Sequence, residues 1–265
     1  MGVRGLRSAL TAGYVVWYRE VLRFARDWPR VFGALGQPLL YLFVLGEGVG
    51  SAFHLVDAPR GFSYVRFLYP GVIGMTVLFT SLLSGISLIQ DREFGFLREI
   101  LVAPVPRWAI LLGKTAGGAS TAVLQGAILI LLAPLIGVLL TPLRVLELLL
   151  FMSLLALSLT AFALAVASRM TSLQAYQMSM NFLVMPMYFL SGALFPVERS
   201  IDWLAALMRV DPLMYGVDSL RRILPSPSTA ALSPFTLRTD VLVLVAFGTA
   251  ALAVGTVAFS RTNAH

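Results

Sequence analysis

The chain has 265 residues, of which 58% are hydrophobic and only 12% charged, and its mean hydropathy is +0.85; this is far too apolar for a soluble domain and points to a membrane protein. The net charge of +7 would suggest nucleic acid in a soluble protein, but here the basic residues flank apolar runs, as orientation in a bilayer requires, so no nucleic-acid partner is expected. The lack of cysteine excludes disulfides and thiolate metal sites.

Residues 1–30 carry Arg4, Arg7, Arg19, Arg23, Arg26 and Arg30 and lack the compact apolar core of a cleavable leader, so the first span is expected to be its own targeting signal. On a helix, Leu10, Tyr14, Trp17, Val21, Phe24 and Trp28 fall on one face and Arg19, Arg23, Arg26 and Arg30 on the opposite one. Such a helix would lie in the headgroup layer against membrane lipid, either as an anchor alone or also as a surface for a cytoplasmic partner. Pro29 is the expected hinge into the first span.

A helix that crosses a bilayer needs about 20 mostly apolar residues, and six runs qualify: 31–50, 67–89, 110–140, 145–167, 178–194 and 241–259. The third is too long for one straight crossing and contains Pro134 and Gly137, so a kink or an extramembrane end is expected. Gly113, Gly117 and Thr121 repeat at four-residue spacing, as do Ser81 and Gly85. These small residues would let helix backbones approach closely, within the chain or between two copies of it. Basic residues are biased toward the segments on the N-terminal side, which predicts cytoplasmic N- and C-termini.

Between the second and third runs lies a charged island. Asp91, Arg92, Glu93, Arg98 and Glu99 are too costly for hydrocarbon, so the segment is expected in water or at the headgroups. On a helix, Phe94, Leu97 and Leu101 would form an apolar strip flanked by Arg92, Glu93, Arg98 and Glu99, a shape suited to a partner's groove. A loop that is charged only because it is wet needs no such strip. Pro104 and Pro106 would end the helix. Further on, 196–224 reads as two short amphipathic helices split at Asp211-Pro212, set at the outer surface and dipping back toward the bilayer. A Pro/Ser-rich linker, 225–234, leads into the last span.

Gly113-Lys114-Thr115 looks like the end of a phosphate-binding loop, but the glycine required five residues earlier is Trp108. His54 and His265 cannot form a metal cluster, and no nucleophile elbow couples a serine to a histidine base, so no enzymatic site is expected. Few ionisable groups lie deep in the spans, which argues against a proton- or sodium-coupled carrier. The main polar groups there are Gln37, Gln125, Gln177 and Asn181. Their default role is interhelical hydrogen bonding; contact with cargo along a substrate path is the alternative for Gln37, Gln125 and Asn181.

Five stretches carry a family resemblance: Pro70-Gly71; Asp91-Arg92-Glu93-Phe94-Gly95-Phe96-Leu97-Arg98-Glu99-Ile100-Leu101-Val102-Ala103-Pro104; Leu111-Leu112-Gly113-Lys114; Leu190-Ser191-Gly192-Ala193-Leu194-Phe195-Pro196; and Asp211-Pro212-Leu213-Met214-Tyr215 with Arg221. Together they resemble the membrane subunits of type-2 ATP-binding-cassette (ABC) exporters, closest to the bacterial drug- and nodulation-factor-type permeases. The similarity covers nearly the whole chain and departs at Asp211, where members commonly have asparagine.

The resemblance implies an all-α polytopic membrane protein with six transmembrane helices, divided into an interfacial helix, 1–30, and a transmembrane domain, 31–265. Within that domain, 91–102 would be a cytoplasmic coupling helix and 196–224 the outer re-entrant helices. Asp91, Arg92, Glu93, Phe94, Gly95, Phe96, Leu97, Arg98, Glu99 and Leu101 would seat in a cleft of a separate ATPase subunit, supported by Trp17, Arg19, Arg23, Phe24, Arg26 and Trp28 of the interfacial helix. Two copies of the permease would work with two ATPase subunits. ATP and magnesium would sit on the ATPase, with no cofactor in this chain. The cargo would be a drug, lipid or lipid-linked glycan exported across the bacterial inner membrane. Apart from the resemblance, a lone carrier or channel, or a membrane scaffold that transports nothing, remains open.

Overall fold

A computed structural model describes residues 3–46, 48, 63–94, 106–225 and 232–261. Among the described residues there are nine α-helices and no strand: α1 (Val3–Arg26), α2 (Trp28–Leu40), α3 (Tyr64–Glu93), α4 (Arg107–Leu131), α5 (Pro142–Arg169), α6 (Leu173–Leu190), α7 (Asp202–Met208), α8 (Pro212–Ile223) and α9 (Leu237–Arg261). Three of them, α3, α5 and α9, are long and apolar enough to cross a membrane by length and composition, and 31–45 forms a shorter apolar helix.

The break between α1 and α2 falls at Asp27, so Pro29 stands in the first turn of α2, where its missing N–H costs nothing. Pro38 lies inside α2, and the chain widens into a π-helical turn, Tyr41–Leu45, just beyond it. A proline removes an i→i−4 bond, and a local π register is one way a helix accommodates that loss. The long third run ends as its prolines and glycines predict. α4 stops at Leu131, a 3₁₀ turn covers Ala133–Ile136, and Gly137 takes a left-handed φ of 71°, a conformation that suits glycine.

Helix α3 is the centre of the bundle. Of its most apolar stretch 72% is buried, against 22% for α9 on the periphery. α2, α4, α5, α6 and α8 all pack on α3, while α9 packs chiefly on α5, and α1 packs along α4. Close approach depends on small residues. A Cβ on Gly74 would meet Val217 of α8 at 2.8 Å, and one on Gly85 would collide with the Tyr176 hydroxyl, which donates to Leu82 O at 2.7 Å. The Ser81/Gly85 spacing is therefore a packing face for α6.

The two ends of the bundle are tied differently. At one end, Tyr64 donates to Leu194 O at 3.0 Å and Arg66 to Gly137 O at 3.2 Å. There α8, expected at the outer surface, is buried almost throughout, with Leu213, Val217 and Leu220 fully enclosed. The buried Arg221 donates to Gly192 O at 2.7 Å and lies 4.3 Å from the Phe67 ring centre. α7 stays exposed through Trp203 and Leu207, as does Ile201 just before it. The opposite end gathers α1, the end of α3, the start of α4 and the end of α5.

Candidate coupling site

At that second end, three helices meet around one lysine. Lys114, on the second turn of α4, is 1% exposed. Its Nζ donates to Glu20 Oε1 of α1 and to Ser87 Oγ of α3, each at 3.1 Å, and lies 2.6 Å from Asp91 Oδ2. Arg19 pairs with both Glu20 and Asp91, and Arg23 Nη2 stands 3.8 Å from Asp91 Oδ1. Burial alone would push the Glu20 carboxyl up, but Lys114 and Arg19 outweigh it and hold the group below its ordinary range. The Glu20 carboxylate is thus matched by neighbouring cations, the condition under which a buried charge is tolerated inside a protein.

The sequence reading puts Asp91 in water or at the headgroups; its side chain is instead enclosed by protein, 3% exposed. The correction has a simple cause, since Lys114 and Arg19 supply the countercharge that a lone carboxylate would otherwise take from solvent. Arg92 is likewise engaged inside the chain. Its two Nη atoms donate to Met170 O at 2.7 Å and Ser168 O at 3.1 Å, a cation on the terminal carbonyls of α5. Glu93 is exposed, and Phe94, in the turn that closes α3, is 82% exposed. Gly95, Phe96, Leu97, Arg98, Glu99 and Leu101 lie outside the described residues.

The face of α1 that packs inward is not its aromatic stripe. Ala9 and Val16 are buried while Leu10, Tyr14 and Tyr18 are exposed, so the contact runs along Ala9, Gly13, Val16 and Glu20. A Cβ on Gly113 would meet Gly13 O at 2.5 Å, and one on Gly117 would meet Glu20 Cβ at 2.6 Å. The small-residue repeat of α4 is therefore a seat for α1. Trp17 is half-buried and donates Nε1–H to Ser120 Oγ at 3.0 Å. Arg19 points inward rather than away from the protein, Phe24 is half-buried, and Arg23 and Arg26 are exposed. The Trp28 side chain lies outside the described set.

The three substrate-path residues are not brought together. Gln125 is buried, accepts from Thr80 Oγ1 at 3.0 Å and donates to Val31 O at 3.4 Å, joining α2, α3 and α4. Gln37 on α2 and Asn181 on α6 are exposed. Beside Glu20 a narrow polar cleft is lined by Arg23, Thr80, Ser84, Ser87 and Gln125.

The profile of the ABC-2 type transporters matches residues 11–224. The chain belongs to the ABC-2 type transporter family. Similar proteins include ycf38 of Cyanophora paradoxa, 30% identical over 211 residues, covering 78% of this chain and 72% of that one. Nodulation protein J of Rhizobium meliloti (strain 1021) is 29% identical over 212 residues, covering 79% of each chain. Inner membrane transport permease YadH of Escherichia coli (strain K12) is 26% identical over 216 residues, covering 78% of this chain and 80% of that one. The protein is thus an ABC-2 permease, a membrane-embedded transport subunit that works with an ATPase subunit and is not the ATPase itself.

The ABC-2 permease hides two of its key site residues from sequence reading. Glu20 passes as one charge among the arginines of α1, and Lys114 as a charge flanking a span. One signal was present. The helical neighbours of Lys114 at three- and four-residue spacing are Ile110, Leu111, Gly117 and Gly118, so no local carboxylate can neutralise it and a partner must come from another segment.

Proposed function

We propose that this permease forms the membrane part of an exporter for a hydrophobic or amphipathic cargo, two copies of it working with two separate ATPase subunits. Six crossings are assigned: 31–46, then α3, α4, α5, α6 and α9. Both termini and the connection between α3 and α4 lie on the cytoplasmic side, as the bias of basic residues favours. The similarity to the inner membrane transport permease YadH favours the bacterial inner membrane. ATP and magnesium belong to the ATPase.

One observation supports the coupling role. The exposed Glu93 and Phe94 follow directly on the buried Asp91, which is ion-paired to α1 and α4, and on Arg92, which holds the end of α5. A displacement of 91–102 by closure of the ATPase pair would reach three helices through short, charge-matched contacts instead of dissipating in a loop. Those contacts would bias the bundle between its two states.

The test is reconstitution of the permease with its ABC ATPase in vesicles. Phe94→Ala and Glu93→Ala should leave assembly intact and reduce transport per ATP hydrolysed by roughly tenfold, the scale of a typical coupling energy. Wild-type coupling in both variants overturns the assignment. Flux through the permease alone, indifferent to ATP, would make it a carrier or channel, and ATPase binding without flux would make it a scaffold.

A further inference from the structure

The flank of the bundle away from α2 and α6 carries a groove that the coupling mechanism does not use. It runs between α5 and α9 and is lined by Phe162, Ala165, Val166, Phe247, Ala250 and Val254, with Arg169 and Met170 at one end. Its volume is about 520 Å³, within the range of small-molecule sites. The two helices touch at the inner end, where the Phe162 and Phe247 rings lie 5.5 Å apart. Above that contact, alanines on both helices leave a gap. From Phe162 to Arg169 the helix rises about 10 Å, the length of the upper part of an acyl chain.

We propose that this groove is a binding site for an anionic glycerophospholipid, with one acyl chain between α5 and α9 and the phosphate on Arg169. Charge complementarity selects this occupant. The only charged residue lining the groove is Arg169, which is exposed and in no ion pair among the described residues. Arg92 brings a second guanidinium to the carbonyls of Ser168 and Met170 at the same helix end. An apolar slot capped by a cation suits a lipid whose headgroup is negative, and an uncharged or zwitterionic one gains less there. The site sits on the largely unburied helix α9, where lipid has direct access. The proposal needs only the membrane location and is independent of cargo, direction and ATPase docking.

The permease has no cysteine, so Val254→Cys, at the exposed groove wall, provides a single attachment point for a bimane fluorophore. The labelled protein is placed in vesicles of phosphatidylcholine containing either brominated phosphatidylglycerol or brominated phosphatidylcholine. Brominated phosphatidylglycerol should quench at a mole fraction about fivefold lower. Arg169→Gln should abolish the preference and Arg169→Lys should keep it, and the lysine variant guards against a fold defect. Ala250→Phe should fill the gap and reduce quenching by both lipids. Equal quenching by the two lipids in the unsubstituted background, or a preference that survives Arg169→Gln, overturns the site. Quenching by neither would mean that a second copy or another protein covers the groove, and overturns it equally.

Discussion

Lys114 Nζ stands 2.6 Å from Asp91 Oδ2, and Lys114 is the only lysine in a sequence otherwise rich in arginine. Among the described residues the exposed cations are planar guanidinium groups, and the cation enclosed by the carboxylates is a compact ammonium with three donors. Three acceptors converge on it, Glu20 Oε1, Ser87 Oγ and Asp91 Oδ2, which is the stereochemistry an ammonium satisfies and a guanidinium does not.

Lys114→Met should therefore destabilise the permease by about 3–5 kcal/mol, because Asp91 and Glu20 lose the countercharge at the centre of their site. Lys114→Arg should recover little of this despite keeping the charge. Combining Lys114→Met with Asp91→Asn should cost less than the sum of the two single changes, since the pair shares one interaction. Unfolding midpoints of the four proteins in detergent decide the matter; strict additivity would show that the contact carries no energy.

The seating of α1 gives a second expectation. Gly113→Val places a side chain where even a Cβ would lie 2.5 Å from Gly13 O, and backbone cannot yield as a flexible side chain does. It should cost about 1–3 kcal/mol and lift α1 from α4, seen as faster proteolysis near Arg19 and Arg23. Gly36→Ala is the control: nothing lies within 4 Å of its would-be Cβ, so stability should hold or rise by about 0.5–1 kcal/mol from helix propensity. Equal behaviour of the two variants would contradict the packing.

How far the sequence reaches is clear from α1 and α4. Each of the six apolar runs overlaps a described helix, and three of these helices are long and apolar enough to cross a membrane; length and hydropathy are properties of the segment alone. Periodicity identified two faces of α1 but not which one meets protein. In lipid the apolar stripe has no need to turn inward, and close helix contacts use small residues; hence Leu10 and Tyr14 face out while Ala9 and Gly13 face α4. The Gly113/Gly117 repeat announced a contact without naming its partner. The Lys114 cluster joins residues 94 positions apart in the chain, which no local pattern encodes. The same limit applies to α8, whose amphipathic spacing suggested a surface and whose polar side is instead enclosed by its own neighbours.

Arg221 supplies a third test. It is buried, hydrogen-bonded to the carbonyl of Gly192, a residue with a left-handed φ of 70°, and stacked on Phe67. Arg221→Lys keeps the charge but loses the planar fork and the stacking, and should cost about 1–2 kcal/mol. Phe67→Leu removes the ring and leaves the Arg221 hydrogen bond to Gly192 O in place. If the contact is energetic, the double variant should lose less than the sum in thermal unfolding; full additivity would reduce the ring to a spacer.

Asp211 differs from the asparagine that family members commonly carry, and the structure gives that difference a pH signature. Its Oδ1 accepts from Leu213 N–H at 3.0 Å as the cap of α8, while Oδ2 has no hydrogen-bond partner among the described residues. Burial pushes the carboxyl up to about 8, against a smaller downward pull from the Leu213 N–H. The Tyr215 hydroxyl lies within electrostatic reach; it is pushed up chiefly by burial and further by Asp240 and Asp211, against a downward pull from Arg209. The folded protein therefore holds this proton more tightly than the unfolded chain, whose carboxyl keeps its ordinary value near 3.8. The sign follows: the stabilising contribution is complete below about pH 4 and is lost as pH rises through about 8. Asparagine offers the same acceptor and cannot ionise. Asp211→Asn should leave the unfolding midpoint nearly unchanged at pH 5 and raise stability by about 1–3 kcal/mol at pH 9, flattening the decline between them; parallel pH profiles for the two proteins would show that the carboxyl is already ionised in the fold.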